Sequence, residues 1–181
     1  MKKIQLLVFL FLNLSISAQK YYTKTGKTEF KASVEAFEPV EATNNSTTAI
    51  LNTVSGEIAS LLFVKAFNFR VALMQEHFNE NYMDSNIFPK ATFKGVLSDF
   101  KFLDISNTEK KYFLKGILTV RGIGKEVETI ASFSKKKDKL MMKASFGVQP
   151  EDFNIKIPRI VSSKIAGTIN IFIAYELIEK K

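Results

Sequence analysis

His77 is the sole histidine of a chain that also lacks cysteine. These two facts remove most hydrolytic and metal chemistry. A Ser-His-Asp triad, a two-histidine zinc site and a Cys-His dyad are poor fits or impossible. A lone general base is still open to His77, but its neighbours Met74 and Phe78 at helical spacing favour a structural place. Ser162-Ser163-Lys164 has the composition of a Ser-Lys nucleophile pair, yet neighbours on a strand point to opposite faces, so a loop is the simpler reading. The carboxylates are scattered: Glu126 and Glu128 share one strand face, Glu109 falls in a turn, and Glu151 and Asp152 are adjacent. Surface solvation explains them better than a glycosidase pair. Gly122-Ile123-Gly124 lacks the third glycine and following helix of a phosphate loop and reads as a turn between strands. Neither a catalytic residue nor a metal or cofactor site is expected.

Apolar surface is what the chain has in abundance. Seventeen phenylalanines and no tryptophan supply large side chains that need no hydrogen-bond partner. The net charge of +8 falls to +6 once Lys2 and Lys3 are removed. With an N-terminus that reads as an export signal, it fits anionic lipid headgroups or envelope polymers better than nucleic acid. It fits a merely soluble surface rich in lysine at least as well. Lys2 and Lys3 precede an apolar run at 4–14, and Ser15-Ile16-Ser17-Ala18 closes it with small residues. That run is shorter than the ~20 residues of a membrane-spanning helix. Cleavage after Ala18 leaves 19–181 as one domain, periplasmic or secreted, with no cysteine for a lipid anchor or disulfide.

The elements that must position the apolar groups are mostly strands. Alternation of period two recurs in 28–34, 49–54, 57–69, 91–97, 112–120, 127–133, 140–148 and 168–177. Turn signals stand at Thr25-Gly26-Lys27, Asn44-Asn45-Ser46, Asn107-Thr108-Glu109, Gly122-Ile123-Gly124 and Lys136-Lys137-Asp138. Residues 73–83 break the pattern. Met74, Phe78 and Tyr82 recur at steps of four opposite Gln75, Glu76, Asn79 and Glu80, which predicts a helix of about three turns packed over the sheet. Pro89 returns the chain to extended geometry, and a lesser helical turn is expected at 150–153. Gly95, Gly116 and Gly147 interrupt three strands, where glycine permits bends or bulges that help a barrel close. The expected class is all-β, an antiparallel barrel with one short amphipathic helix.

Three blocks resemble the YceI-like family of exported bacterial proteins, described as polyisoprenoid-binding lipocalin-like barrels. They are Phe67-Asn68-Phe69 with Met83-Asp84-Ser85-Asn86-Ile87-Phe88-Pro89-Lys90-Ala91-Thr92-Phe93-Lys94-Gly95 after the helix, then 115–127, then 165–178. Gly124 departs from the family's usual threonine, and Pro150 and Glu151 stand ahead of Asp152-Phe153 where the family tends to have arginine. The resemblance implies an extended barrel of about eight strands whose hydrophobic lumen holds a long isoprenoid or acyl chain.

On that basis Phe30, Phe93, Leu114, Leu118, Phe133, Met142 and Phe146 are expected to line the lumen. Met74, Phe78 and Phe88 are expected to form or close one mouth. The expected role is a non-enzymatic carrier or sequestering protein for a polyisoprenoid, isoprenoid quinone or fatty amphiphile, with peripheral contact to an anionic membrane surface as one use of its charge. The competing reading is a filled-core interaction protein that meets anionic envelope components through basic loops. An enzyme acting on lumen lipid with His77 as base ranks third. Homodimerisation is left open by the sequence.

Overall fold

The computed structural model describes residues 19–34 and 38–180; the expected signal segment, 1–18, lies outside the described residues. Eight antiparallel strands close into a barrel: β1 (Lys20–Ser33), β2 (Glu41–Asn52), β3 (Glu57–Phe63), β5 (Lys90–Leu97), β6 (Lys110–Val120), β7 (Ile123–Lys136), β8 (Lys139–Val148) and β9 (Ile165–Glu179). β4 (Asn68–Phe69) is a two-residue strand hung on β2. Because β1 pairs with both β2 and β9, the cylinder has no open seam. Closure satisfies backbone groups that a flat sheet of this length would leave exposed at two edges.

Inward and outward positions alternate as the sequence pattern requires. Leu140, Met142 and Ala144 are buried on β8 while Lys139, Lys143 and Ser145 are exposed. Two of the five turn signals nevertheless fall inside strands. Thr25-Gly26-Lys27 lies in β1 and Asn44-Asn45-Ser46 in β2, facing each other across a pair of register shifts. Asn44 is fully enclosed. Its Oδ1 accepts the Ser46 N–H at 2.8 Å, and its Nδ2 donates to the Phe63 carbonyl at 3.0 Å. The side chain thus replaces ladder bonds lost at the bulge, which is why a turn-like tripeptide survives within a strand.

Gly95 and Gly116 carry no bulge, but both sit where two strands approach closely. A Cβ on Gly95 would meet the facing carbonyl of Lys115 at 2.6 Å, and one on Gly116 would meet that of Lys94 closer still. Gly95 and Gly116 are direct partners in an unbroken β5–β6 register. A Cβ on either would stand 2.6–2.7 Å from Phe93 Cζ. Their missing side chains make room for the Phe93 ring across the inner wall.

The stretch 57–69 is one strand in the sequence pattern and three elements in the structure. β3 ends at Phe63, a tight turn covers Val64–Ala66, and β4 follows. From there the chain enters α1 (Ala72–His77) and a π-helical turn, Phe78–Tyr82. The Met83 N–H reaches the Phe78 carbonyl at 2.9 Å. Together they form the expected amphipathic helix over one end of the barrel. A shorter helix, α2 (Arg159–Ser162), follows Pro158 in the β8–β9 connection.

Two apolar clusters divide the interior. One gathers Leu51, Phe133, Leu140, Met142 and Leu177 near the end where β6 begins. The other joins Phe30, Ala32, Ala42, Leu62 and Phe67 beneath α1.

Candidate lipid cavity

Beneath the helix the barrel is hollow. A cavity of about 340 Å³ extends from the mouth between α1 and the β8–β9 connection, at the lower end of the range for small-molecule sites, ~300–1,000 Å³. A smaller space of about 60 Å³ abuts its inner end, and the two share Thr28, Leu62, Ala91, Leu118, Phe146 and Ile171. The walls are almost wholly apolar. No aspartate or glutamate lines either space.

Four phenylalanines hold the helix to the barrel. Phe78 stacks on Phe30 with centroids 5.3 Å apart and meets Phe69 at 5.0 Å. Phe67 approaches both Phe30 and Phe78 edge-on. Offset and edge-on contacts of this kind contribute about 0.5–1.5 kcal/mol each beyond area burial. The i, i+4 spacing therefore does more than cover the mouth: it places Met74, Phe78 and Tyr82 on the cavity side.

Deeper in, the hollow ends on a small hydroxyl cluster. Thr28 and Thr47 share a hydrogen bond of 2.8 Å, and the Tyr175 hydroxyl lies 3.4 Å from Thr28. Burial pushes the Tyr175 hydroxyl above the ordinary phenol range, while hydrogen bonds to Thr28 and Ser60 pull the other way. The ring itself fills the space left by Gly26, where a Cβ would meet it at 2.6 Å. Beyond this cluster the interior is packed.

A cationic bracket braces the mouth. Arg121 occupies the left-handed region (φ 50°) beside Gly122 (φ 75°) in the β6–β7 turn. Its Nη2 donates to Asp84 Oδ2 in the loop after the helix, and its Nη1 donates to the Asn154 carbonyl at 2.5 Å. Its guanidinium also lies over the Phe88 ring, 5.7 Å from the centroid. One side chain thus joins three connections. Asp84 and Asn154 are also at positive φ, which both residue types tolerate.

The expected lumen residues fall into two groups. Phe30, Leu118 and Phe146 line the main cavity. Phe93, Leu114 and Met142 line the smaller space. Phe133 points inward but is wholly enclosed in the packed half, among Phe100, Tyr112 and Leu140, and borders neither space. At the mouth Met74 and Phe78 are on the wall, whereas Phe88 backs Arg121 and stays outside the lining.

Several wall residues escaped the sequence reading. Ile169 and Ile171 stand on the recognised inner face of β9, but nothing local indicates that they border empty space. Ile155, Ile157 and Val161 come from the irregular β8–β9 connection, where period-two reasoning has no purchase. Alternation of Ile155, Lys156 and Ile157 is the one signal that could have found them. The Arg121 bracket lies within recognised blocks, yet its partners are distant in sequence.

The polar candidates sort plainly. His77 stands at the cavity rim and is exposed. Glu126 and Glu128 are outside the barrel, where both bind Lys115 Nζ at 2.9 and 2.8 Å. Lys136 and Lys139 flank a hairpin turn, as expected. Among the described residues no cluster of three metal-ligating side chains occurs.

A family model described as a YceI-like domain matches residues 15–177. No curated protein matches the chain in sequence. Solved structures share the fold at low identity. A polyisoprenoid binding domain from Saccharophagus degradans, implicated in plant cell wall breakdown, aligns with TM-score 0.74 and 10% identity over 90% of this chain and 99% of its own. BcnA of Burkholderia cenocepacia gives 0.68 and 16%, covering 86% and 96%. A YCEI protein of Campylobacter jejuni gives 0.63 and 18%, covering 80% and 87%.

Proposed function

The chain belongs to the YceI-like domain family, and we propose that it is a non-enzymatic carrier for a long isoprenoid or acyl lipid. The hydrocarbon chain occupies the mouth half of the barrel. The observation that carries this reading is the apolar cavity and the smaller space that abuts its inner end. Each methylene moved there from water contributes about 0.8 kcal/mol, so ten contribute about 8 kcal/mol without any charged contact. The absence of carboxylates from the lining keeps that environment suited to hydrocarbon.

The polyisoprenoid-binding description of the Saccharophagus degradans relative supports the same ligand class. The three-part N-terminal pattern supports export, with Gln19 as the mature N-terminus. A filled core acting only through basic loops accounts for the packed half but not for the hollow one.

The test is organic extraction and mass spectrometry of protein purified natively from a bacterial periplasm, with N-terminal sequencing of the same sample. A stoichiometric isoprenoid or acyl species on a chain beginning at Gln19 is the expected result. A folded, monodisperse protein that yields no lipid would overturn the carrier reading.

A further inference from the structure

The β8–β9 connection has two faces. Ile155, Ile157 and Val161 line the cavity. On the other side Ile160 is 87% exposed, with Lys156 and Arg159 exposed near it in sequence, while Lys164 is exposed at the rim of the cavity and helps to line it. Between 153 and 175 the chain carries these three cations and no aspartate or glutamate. None of the three forms an ion pair among the described residues, whereas Lys125, Arg121 and Arg70, also near the mouth, each meet a carboxylate. Leu73 on α1 and Ile87 in the loop before β5 are exposed at the same end of the barrel.

We infer that this end docks on an anionic phospholipid bilayer, with Ile160 entering the interface and Lys156, Arg159 and Lys164 against the headgroups. An exposed aliphatic side chain on a segment whose charged residues are all cations is suited to a surface that is apolar inside and negatively charged outside. The carrier reading, on which this rests, supplies the need. A long hydrocarbon chain passing between membrane and cavity through open water would expose its whole length, and a mouth pressed to the bilayer avoids that exposure. The connection that lines the cavity also carries the contact, so docking and access to the cavity occur at one place.

What sets the mouth apart is this one carboxylate-free connection rather than the end as a whole, since Glu76, Glu80 and Glu151 are also exposed there. Among the described residues, no connection at the opposite end combines the same features. Leu103 is exposed there, but the lysines around it are interleaved with Asp99, Asp104, Glu109 and Asp138. Lys110 and Lys139 are already bound to Asp104 and Glu176.

The chain contains no tryptophan, so a single introduced one reports on its own surroundings. Ile160→Trp should show blue-shifted emission with phosphatidylglycerol–phosphatidylcholine vesicles and little shift with phosphatidylcholine alone. Leu103→Trp should shift with neither. Charge reversal of Lys156 and Arg159 in the Ile160→Trp background should weaken vesicle binding at least tenfold, since each cation near such a surface is worth about fivefold.

No shift at position 160, an equal shift at 103, or a shift that grows with protein concentration without vesicles would overturn the inference. The last would identify a second copy of the chain as the occupant. A pyrene-labelled fatty acid, added without vesicles, separates the two claims. Wild-type protein that takes up this probe but ignores vesicles would sink docking and leave the carrier reading standing. Vesicle docking without uptake would do the reverse.

Discussion

The same eight strands build a packed half and a hollow half, and the contrast lies in what enters each end. At the packed end the β5–β6 connection folds inward. Phe100 lies 5.0 Å from Tyr112 and 5.6 Å from Phe133, Phe102 lies 5.1 Å from Tyr21, and Ile105 is buried beside them. At the hollow end α1 and the π-helical turn after it lie across the mouth, and Phe78 packs on Phe30, Phe67 and Phe69 without filling the space beneath. Small wall residues, Ala32 and Ala91, keep that space open. One end is plugged and the other is lidded. The packed half supplies stability, and the hollow half has apolar surface left for a ligand.

Truncation should separate the halves most strongly. Phe133→Ala removes a fully enclosed ring and should cost about 3–5 kcal/mol in chemical denaturation. Phe146→Ala, at the cavity wall, should cost less than about 2 kcal/mol, because its neighbours already face space on one side. Equal losses would erase the distinction.

Enlargement sharpens the same contrast in the other direction. Ala131→Phe, in the packed half, should destabilise by about 1–3 kcal/mol through overpacking. Ala91→Phe, which grows into the hollow, should change stability by less than about 1 kcal/mol and displace co-purifying lipid. A variant at Ala91 that retains its lipid undiminished would place the ligand elsewhere.

The bracket at the mouth should matter next. Arg121→Met leaves Asp84 and the Asn154 carbonyl without their shared donor. A loss of about 1–2 kcal/mol is expected, together with faster release of a bound fluorescent fatty acid. Unchanged release would confine Arg121 to a structural role.

The smallest effect should come from the hydroxyl cluster at the inner end of the hollow. Tyr175→Phe should cost about 0.5–1.5 kcal/mol near neutrality. The raised pKa of Tyr175 means that the folded state holds the phenol proton more tightly than the unfolded chain. The corresponding stability is complete below the unfolded value of about 10 and is lost as pH rises from there through the folded value. Denaturation between about pH 8 and 11 should show a steeper alkaline decline in wild type than in the variant. Parallel curves would remove Tyr175 from the explanation.

Much of this molecule can be read along the chain. Alternation identified the inner faces of β6, β8 and β9, and the spacing of Met74, Phe78 and Tyr82 identified the lid and its apolar side. These are local periodicities, set by the geometry of a pleat or a helical turn. The hollow was not legible in the same way. Period two says which face Phe133 and Phe146 occupy but not how far along the barrel axis each sits. That height follows from the register of eight staggered strands.

The plug at one end, the Thr25–Lys27 bulge opposite Asn44–Ser46, and Arg121 bound to Asp84 and Asn154 all depend on partners many residues away. So the chain's own pattern determined an all-β barrel with a lidded mouth and an apolar interior. Which part of that interior stayed empty depended on pairing between distant strands and loops, because empty space is a property of the surrounding walls and no single residue's neighbours along the chain encode it.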